Sequence, residues 1–142
     1  MSSYFVSSYF IFDSIDTQLQ YYQIDHPLQD TIAANDNPGK RFIASEIITH
    51  LSSHRIGARV LAKSGRLIGL LFATIYDCSN IVALRHEAMK AILNIIQDEK
   101  AALFVVDKNI LPSLASFTVS NDEDDVLRRA ALKVLMALIP SL

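Results

Sequence analysis

The sequence predicts an all-α chain built as a stack of helical repeats, and three observations carry that expectation. Helical, apolar-striped stretches recur at a spacing in the forties, each is opened by residues that favour helix starts, and the composition supplies the apolar surface a stack must bury. Laying residues 84–96 over 127–139, a shift of 43, gives five identities in thirteen: Leu84/Leu127, Arg85/Arg128, Ala88/Ala131, Lys90/Lys133 and Ile96/Ile139. Laying the stretch from Arg41 over that from Arg85, a shift of 44, pairs Arg41/Arg85, Ala44/Ala88, Ile48/Ile92, Ala58/Ala102, Leu67/Leu111 and Leu70/Leu114 without a gap. A mostly helical unit of this period cannot bury its apolar face alone and stacks on its neighbours.

The elements follow in chain order. Residues 1–37 show no clear register; Leu19, Tyr22, Ile24, Leu28 and Ile32 mark one or two irregular helices, read as an N-terminal cap. Asn37-Pro38-Gly39 opens a long helix over 38–54, which stands as the third helix of an incomplete unit. A first full repeat covers 55–97. It has a short amphipathic helix, Arg55–Lys63, a left-handed turn at Gly65, a middle helix, Arg66–Tyr76, and a long helix, Ile81–Gln97, capped by Asn80. A second covers 98–142: Glu99–Lys108, a turn at Asn109, Ile110–Val119 with Pro112 in its first turn, and a long helix opened by Asp122-Glu123-Asp124-Asp125. In that last helix Val126, Leu127, Ala130, Ala131, Val134, Leu135 and Leu138 recur at three- and four-residue steps, the period of a helix with one buried face.

Composition narrows the function classes. At 142 residues, 51% hydrophobic with a mean hydropathy of +0.26, the chain is too apolar to be disordered, and one cysteine cannot make an internal disulfide. Its apolar runs fall short of the roughly 20 residues that cross a bilayer, so no transmembrane segment is expected. Residues 1–37 hold no Lys or Arg and five Asp (Asp13, Asp16, Asp25, Asp30 and Asp36), the wrong composition for a cleavable secretory or mitochondrial leader. An intracellular protein is the expectation. Charge is segregated: −5 over residues 1–37, +5 over 38–75 and −2 over 76–142, so the acidic start is expected near the basic centre. Those central cations lack interleaved aromatics and any nucleic-acid motif, and no nucleic-acid partner is expected.

The segment EKAALFVVDKNILPSLASFTVSNDEDDVLRRAALKVLMALI, with NILPSL opening its middle helix, resembles an armadillo repeat. Residues 55–97 resemble a second such repeat, and 38–54 the third helix of one before it; HEAT repeats are the alternative. The resemblance implies a right-handed α-solenoid of about two and a half repeats and a protein-binding role. It also implies that the long helices line a concave groove. In importin-like members a Trp and an Asn four residues on grip an extended peptide there. The matching pairs here are Glu46/His50, Lys90/Asn94 and Lys133/Ala137, so the Trp is missing throughout and only Asn94 keeps the Asn. With Phe42, His86 and Arg129 one turn earlier, the groove reads as polar and rather basic, suited to an acidic or backbone-presenting segment, or else as a solvated face.

The last helix is apolar on nearly all sides, so Leu132, Met136, Ile139 and Leu142 are read as an assembly surface. Two functions stay open: a non-catalytic subunit of a larger assembly, and a free adaptor that captures a peptide in the groove. No enzymatic constellation appears. His50 and His54 have metal-pair spacing, but Leu51 replaces the Glu of a zinc protease and no third ligand stands near in sequence. Cys78 lies in a loop without a placed His, and Gly65 to Gly69 lacks the Lys-Ser/Thr ending of a phosphate loop. Neither a cofactor, a metal nor a small-molecule substrate is expected; the expected partners are proteins.

Overall fold

The computed structural model describes residues 26–34, 37–107, 110–120 and 124–141, and every regular element among them is helical. Expectations resting on Leu19, Tyr22, Ile24, Asn109, Asp122, Glu123 and Leu142 lie outside the described residues. A helical segment over residues 26–33 precedes α1 (Pro38–Ser52), α2 (Arg55–Lys63), α3 (Gly65–Tyr76) and α4 (Val82–Ile96). Then follow α5 (Glu99–Val106), α6 (Leu111–Thr118), α7 (Asp125–Leu138) and a closing 3-10 turn, Ile139–Ser141.

Local chemistry sets most boundaries. The Asn37 side chain accepts from the Lys40 amide with Pro38 and Gly39 in the first turn, so α1 starts where the Asn-Pro-Gly sequence predicts. Asp98 and Asp124 cap α5 and α7 in the same way, accepting from the Ala101 and Leu127 amides. Two expected devices are replaced by others. Gly65 is not a left-handed turn; it is the first helical residue of α3, and the chain leaves α2 at extended Ser64, whose hydroxyl also accepts from the Leu67 amide. Asn80 does not cap α4. That N-cap is Ile81, which has no side-chain acceptor, while Asn80 donates to Thr74 O at 3.0 Å and accepts from Arg41.

The packing follows the sequence period. The three long helices start 44 and 43 residues apart and pack in order, α1 on α4 and α4 on α7; the short α2 packs on α5, 44 residues on. The middle helices α3 and α6 lie against α4 and α7 respectively. Ala44, Ala88 and Ala131 all occupy position seven of a long helix and all are buried, the small side chain letting neighbouring backbones approach. Around them Ile48, Leu61, Leu71, Ile75, Ile92, Ile95, Leu114 and Val134 build a core in which Leu28 and Ile32 of the first helical segment take part.

Candidate functional site

Two surfaces stand out, the polar face that runs across the long helices and the outer face of α7. On the first, four-residue steps place His86, Lys90 and Asn94 along one side of α4. Glu46, His50, Lys90, Arg129 and Lys133 are exposed, whereas Phe42, His86 and Asn94 are half-buried. Several of these are bonded within the chain. Asn94 Nδ2 donates to Thr49 O of α1 at 3.0 Å, and His86 Nε2 lies 3.3 Å from Asp124 Oδ1 at the start of α7. Lys90 Nζ is 3.8 Å from Glu87, whose carboxylate accepts from Thr49 Oγ1 at 3.1 Å. This face therefore joins three long helices to one another, and its fully solvated members are the cations and acids between those contacts.

The electrostatics of these contacts follow their surroundings. The hydrogen bond from the Leu127 amide, with help from His86, holds the Asp124 carboxyl below the usual carboxylate range. Burial pushes Asp98 up, but the Arg59 guanidinium and the Ala101 amide together outweigh it and bring it below that range. The Arg59 contact is two-pronged, with Nε at 2.9 Å and Nη2 at 3.1 Å from the two carboxylate oxygens, and it ties α2 to the start of α5.

One arginine position recurs. Arg41 and Arg85 both stand fourth in their long helices, and each Nε donates back to a carbonyl at the end of the preceding helix, Ile32 O at 2.9 Å and Ile75 O at 2.7 Å. Arg41 Nη1 reaches on to Asn80 Oδ1 at 2.8 Å. These arginines satisfy carbonyls that a helix leaves open at its C-terminus. Arg128 holds the same place in α7 but pairs with Asp125, and its buried Nε has no partner among the described residues. The sequence alignment finds the three arginines; the carbonyls they hold lie nine or ten residues back and carry no sequence signature.

On α7 the two faces differ sharply. Leu127, Ala131, Val134 and Leu138 are buried in the core. Leu132, Met136 and Ile139 are 50%, 63% and 60% exposed, which puts three of the four residues of the expected assembly surface together on the outer side; Leu142 lies outside the described residues. A cleft lined by Thr118, Val119, Asp125, Arg128, Arg129 and Leu132 opens beside this row.

Other candidates are placed as follows. His50 and His54 pack edge to face with ring centroids 5.8 Å apart, and no group of three His, Cys, Asp or Glu side chains gathers among the described residues. Cys78 is exposed in the loop between α3 and α4. No described helix is long and apolar enough to cross a membrane. Compared with protein-family models, curated proteins and solved structures, the chain finds no match.

Proposed function

We propose that this chain is a non-catalytic, armadillo-type interaction subunit that scaffolds a larger multiprotein assembly, docking by the outer face of α7. The observation that carries this is the exposure of Leu132 and Met136 on α7 and of Ile139 in the turn that follows it, on a helix whose other side is already in the core. A contiguous apolar row of that kind gains free energy by leaving water, and a partner surface is what removes it. Arg129 and Lys133 beside it supply polar rim contacts that favour a partner bearing carboxylates.

The armadillo part rests on three things: the resemblance of residues 98–142, the stacking of long helices 43 and 44 residues apart, and the arginine that recurs at position four. The alternative, a free adaptor that captures an acidic extended segment in the groove, has less to rest on. Asn94, which would grip a peptide backbone, already donates to Thr49 O, and the Trp of the ladder is missing throughout. An intracellular setting belongs to the same proposal.

The test is the native mass of the tagged chain from its own cells under gentle lysis, with the co-purifying proteins identified. One large, salt-stable complex supports the scaffold role. A monomer with substoichiometric, salt-sensitive partners transfers the role to the polar face around Lys90.

A further inference from the structure

The exposure pattern of the long helices follows from how they stack. Positions eight and twelve are covered on the two long helices that another one follows: Ser45 is buried and Thr49 half-buried on α1, which packs on α4, and Met89 is buried and Leu93 half-buried on α4, which packs on α7. Positions six and ten are covered where another long helix precedes: Glu87 and Ala91 on α4, Ala130 and Val134 on α7. The hydrogen bond from Thr49, at position twelve of α1, to Glu87, at position six of α4, fixes this pairing directly. The α1–α4 junction is thus a position-eight-and-twelve face laid on a position-six-and-ten face, and the same positions are covered where α4 packs on α7.

Among the described residues, each half of that junction is also exposed once. On α1, positions six and ten are Ile43 and Ile47, 57% and 40% exposed; on α7, positions eight and twelve are Leu132 and Met136. Both open halves are apolar, and they are of opposite kind. The polar clamps continue the pattern. Arg41 and His86, at positions four and five, hold the residues just before the following long helix, Asn80 and Asp124. The same positions on α7 are Arg128 and Arg129, and they line the open cleft. In sequence, residues 1–37 carry five Asp and no Lys or Arg.

Resting on the reading of α7 as a docking face, we propose that its partner is a second copy of this chain, joined head to tail: α7 of one copy packs on α1 of the next and continues the helix stack. Leu132 and Met136 then lie on Ile43 and Ile47, a bulkier set than either internal junction holds, which places these two helices toward the wide end of the roughly 8–10 Å range of helix packing. A head-to-tail contact leaves one open half at each end of every oligomer, so assembly runs on past the dimer.

The experiment is light-scattering mass of the purified full chain over a concentration series, with Leu132→Glu and Ile43→Glu studied singly and mixed, and Met136→Glu as a second α7 variant. All three residues are exposed, and circular dichroism verifies that each variant keeps its helices. The expected result is a wild-type mass that climbs beyond two chains, loss of that growth in every single variant, and recovery of a two-chain species and nothing larger on mixing Leu132→Glu with Ile43→Glu. A wild-type chain that stays monomeric overturns the proposal. A dimer that stops at two chains and survives Ile43→Glu overturns it as well, because that contact is symmetric. A purified monomer that still enters a large complex of other proteins in cells separates the two ideas: self-association fails and the scaffold role stands.

Discussion

Asp98 carries two jobs in one carboxylate, accepting from the Ala101 amide to start α5 and taking both prongs of Arg59 from α2. Asp98→Asn keeps part of the cap but loses the charge-assisted pair, and a destabilisation of about 2 kcal/mol is expected by urea unfolding. The pH dependence follows from the direction of the shift. A carboxyl held below its unfolded value contributes stability that is present above about pH 4 and is lost as pH falls through the folded value. Acid unfolding of the wild type therefore includes this loss, and the Asp98→Asn variant is flatter below about pH 4. Tyr76 is the opposite kind of residue. Its ring packs on Phe72 and Phe117, at 5.8 and 5.3 Å, while its hydroxyl is buried with no partner among the described residues, and burial pushes that group up to about 12. Tyr76→Phe removes an unpaired polar group, so the variant is expected to be neutral or up to about 1 kcal/mol more stable. Unfolding that costs less in Tyr76→Phe than in wild type contradicts this.

The helices divide into features that sequence announces and features that only packing decides. Asn37-Pro38 and the acids around Asp124 announce α1 and α7 because a capping side chain acts on amides two or three residues away, within the reach of a local pattern. Gly65 and Asn80 deceive for the converse reason. Each has the right residue type for a terminus, but Ser64 supplies both the extended backbone and the capping hydroxyl, and Asn80 is drawn off to Thr74 and Arg41. The polar face is legible as a set of positions and not as contacts: Asn94 and His86 stand where the period puts them, yet their partners are Thr49 on α1 and Asp124 at the start of α7. The Arg85 clamp on Ile75 O works at the scale of the element, with the side chain buried and the bond 2.7 Å long. Arg85→Ala frees a carbonyl at the end of α3 and leaves a cavity beside α4. A loss of about 2–4 kcal/mol is expected in thermal or urea unfolding, and a change under about 0.5 kcal/mol contradicts the clamp.

For the whole molecule, the order of stacking is what relates fold to the proposed function: positions eight and twelve are covered on α1 and α4, which pack on the next long helix, and exposed on α7. Leu132 and Met136 on α7 are apolar like their covered counterparts Met89 and Leu93 on α4, but lie exposed. The polar face around Lys90 is solvated or engaged in contacts between helices, which gives it a supporting part in the proposed assembly. Comparing two exposed substitutions in cells tests this most directly, with the tagged chain carrying either Met136→Asp or Lys90→Glu and the co-purifying proteins quantified against wild type. Met136→Asp is expected to reduce the recovered complex tenfold or more, about 1.4 kcal/mol or more of lost interaction, while Lys90→Glu leaves it near wild type. A complex that survives Met136→Asp and is lost with Lys90→Glu contradicts docking through α7.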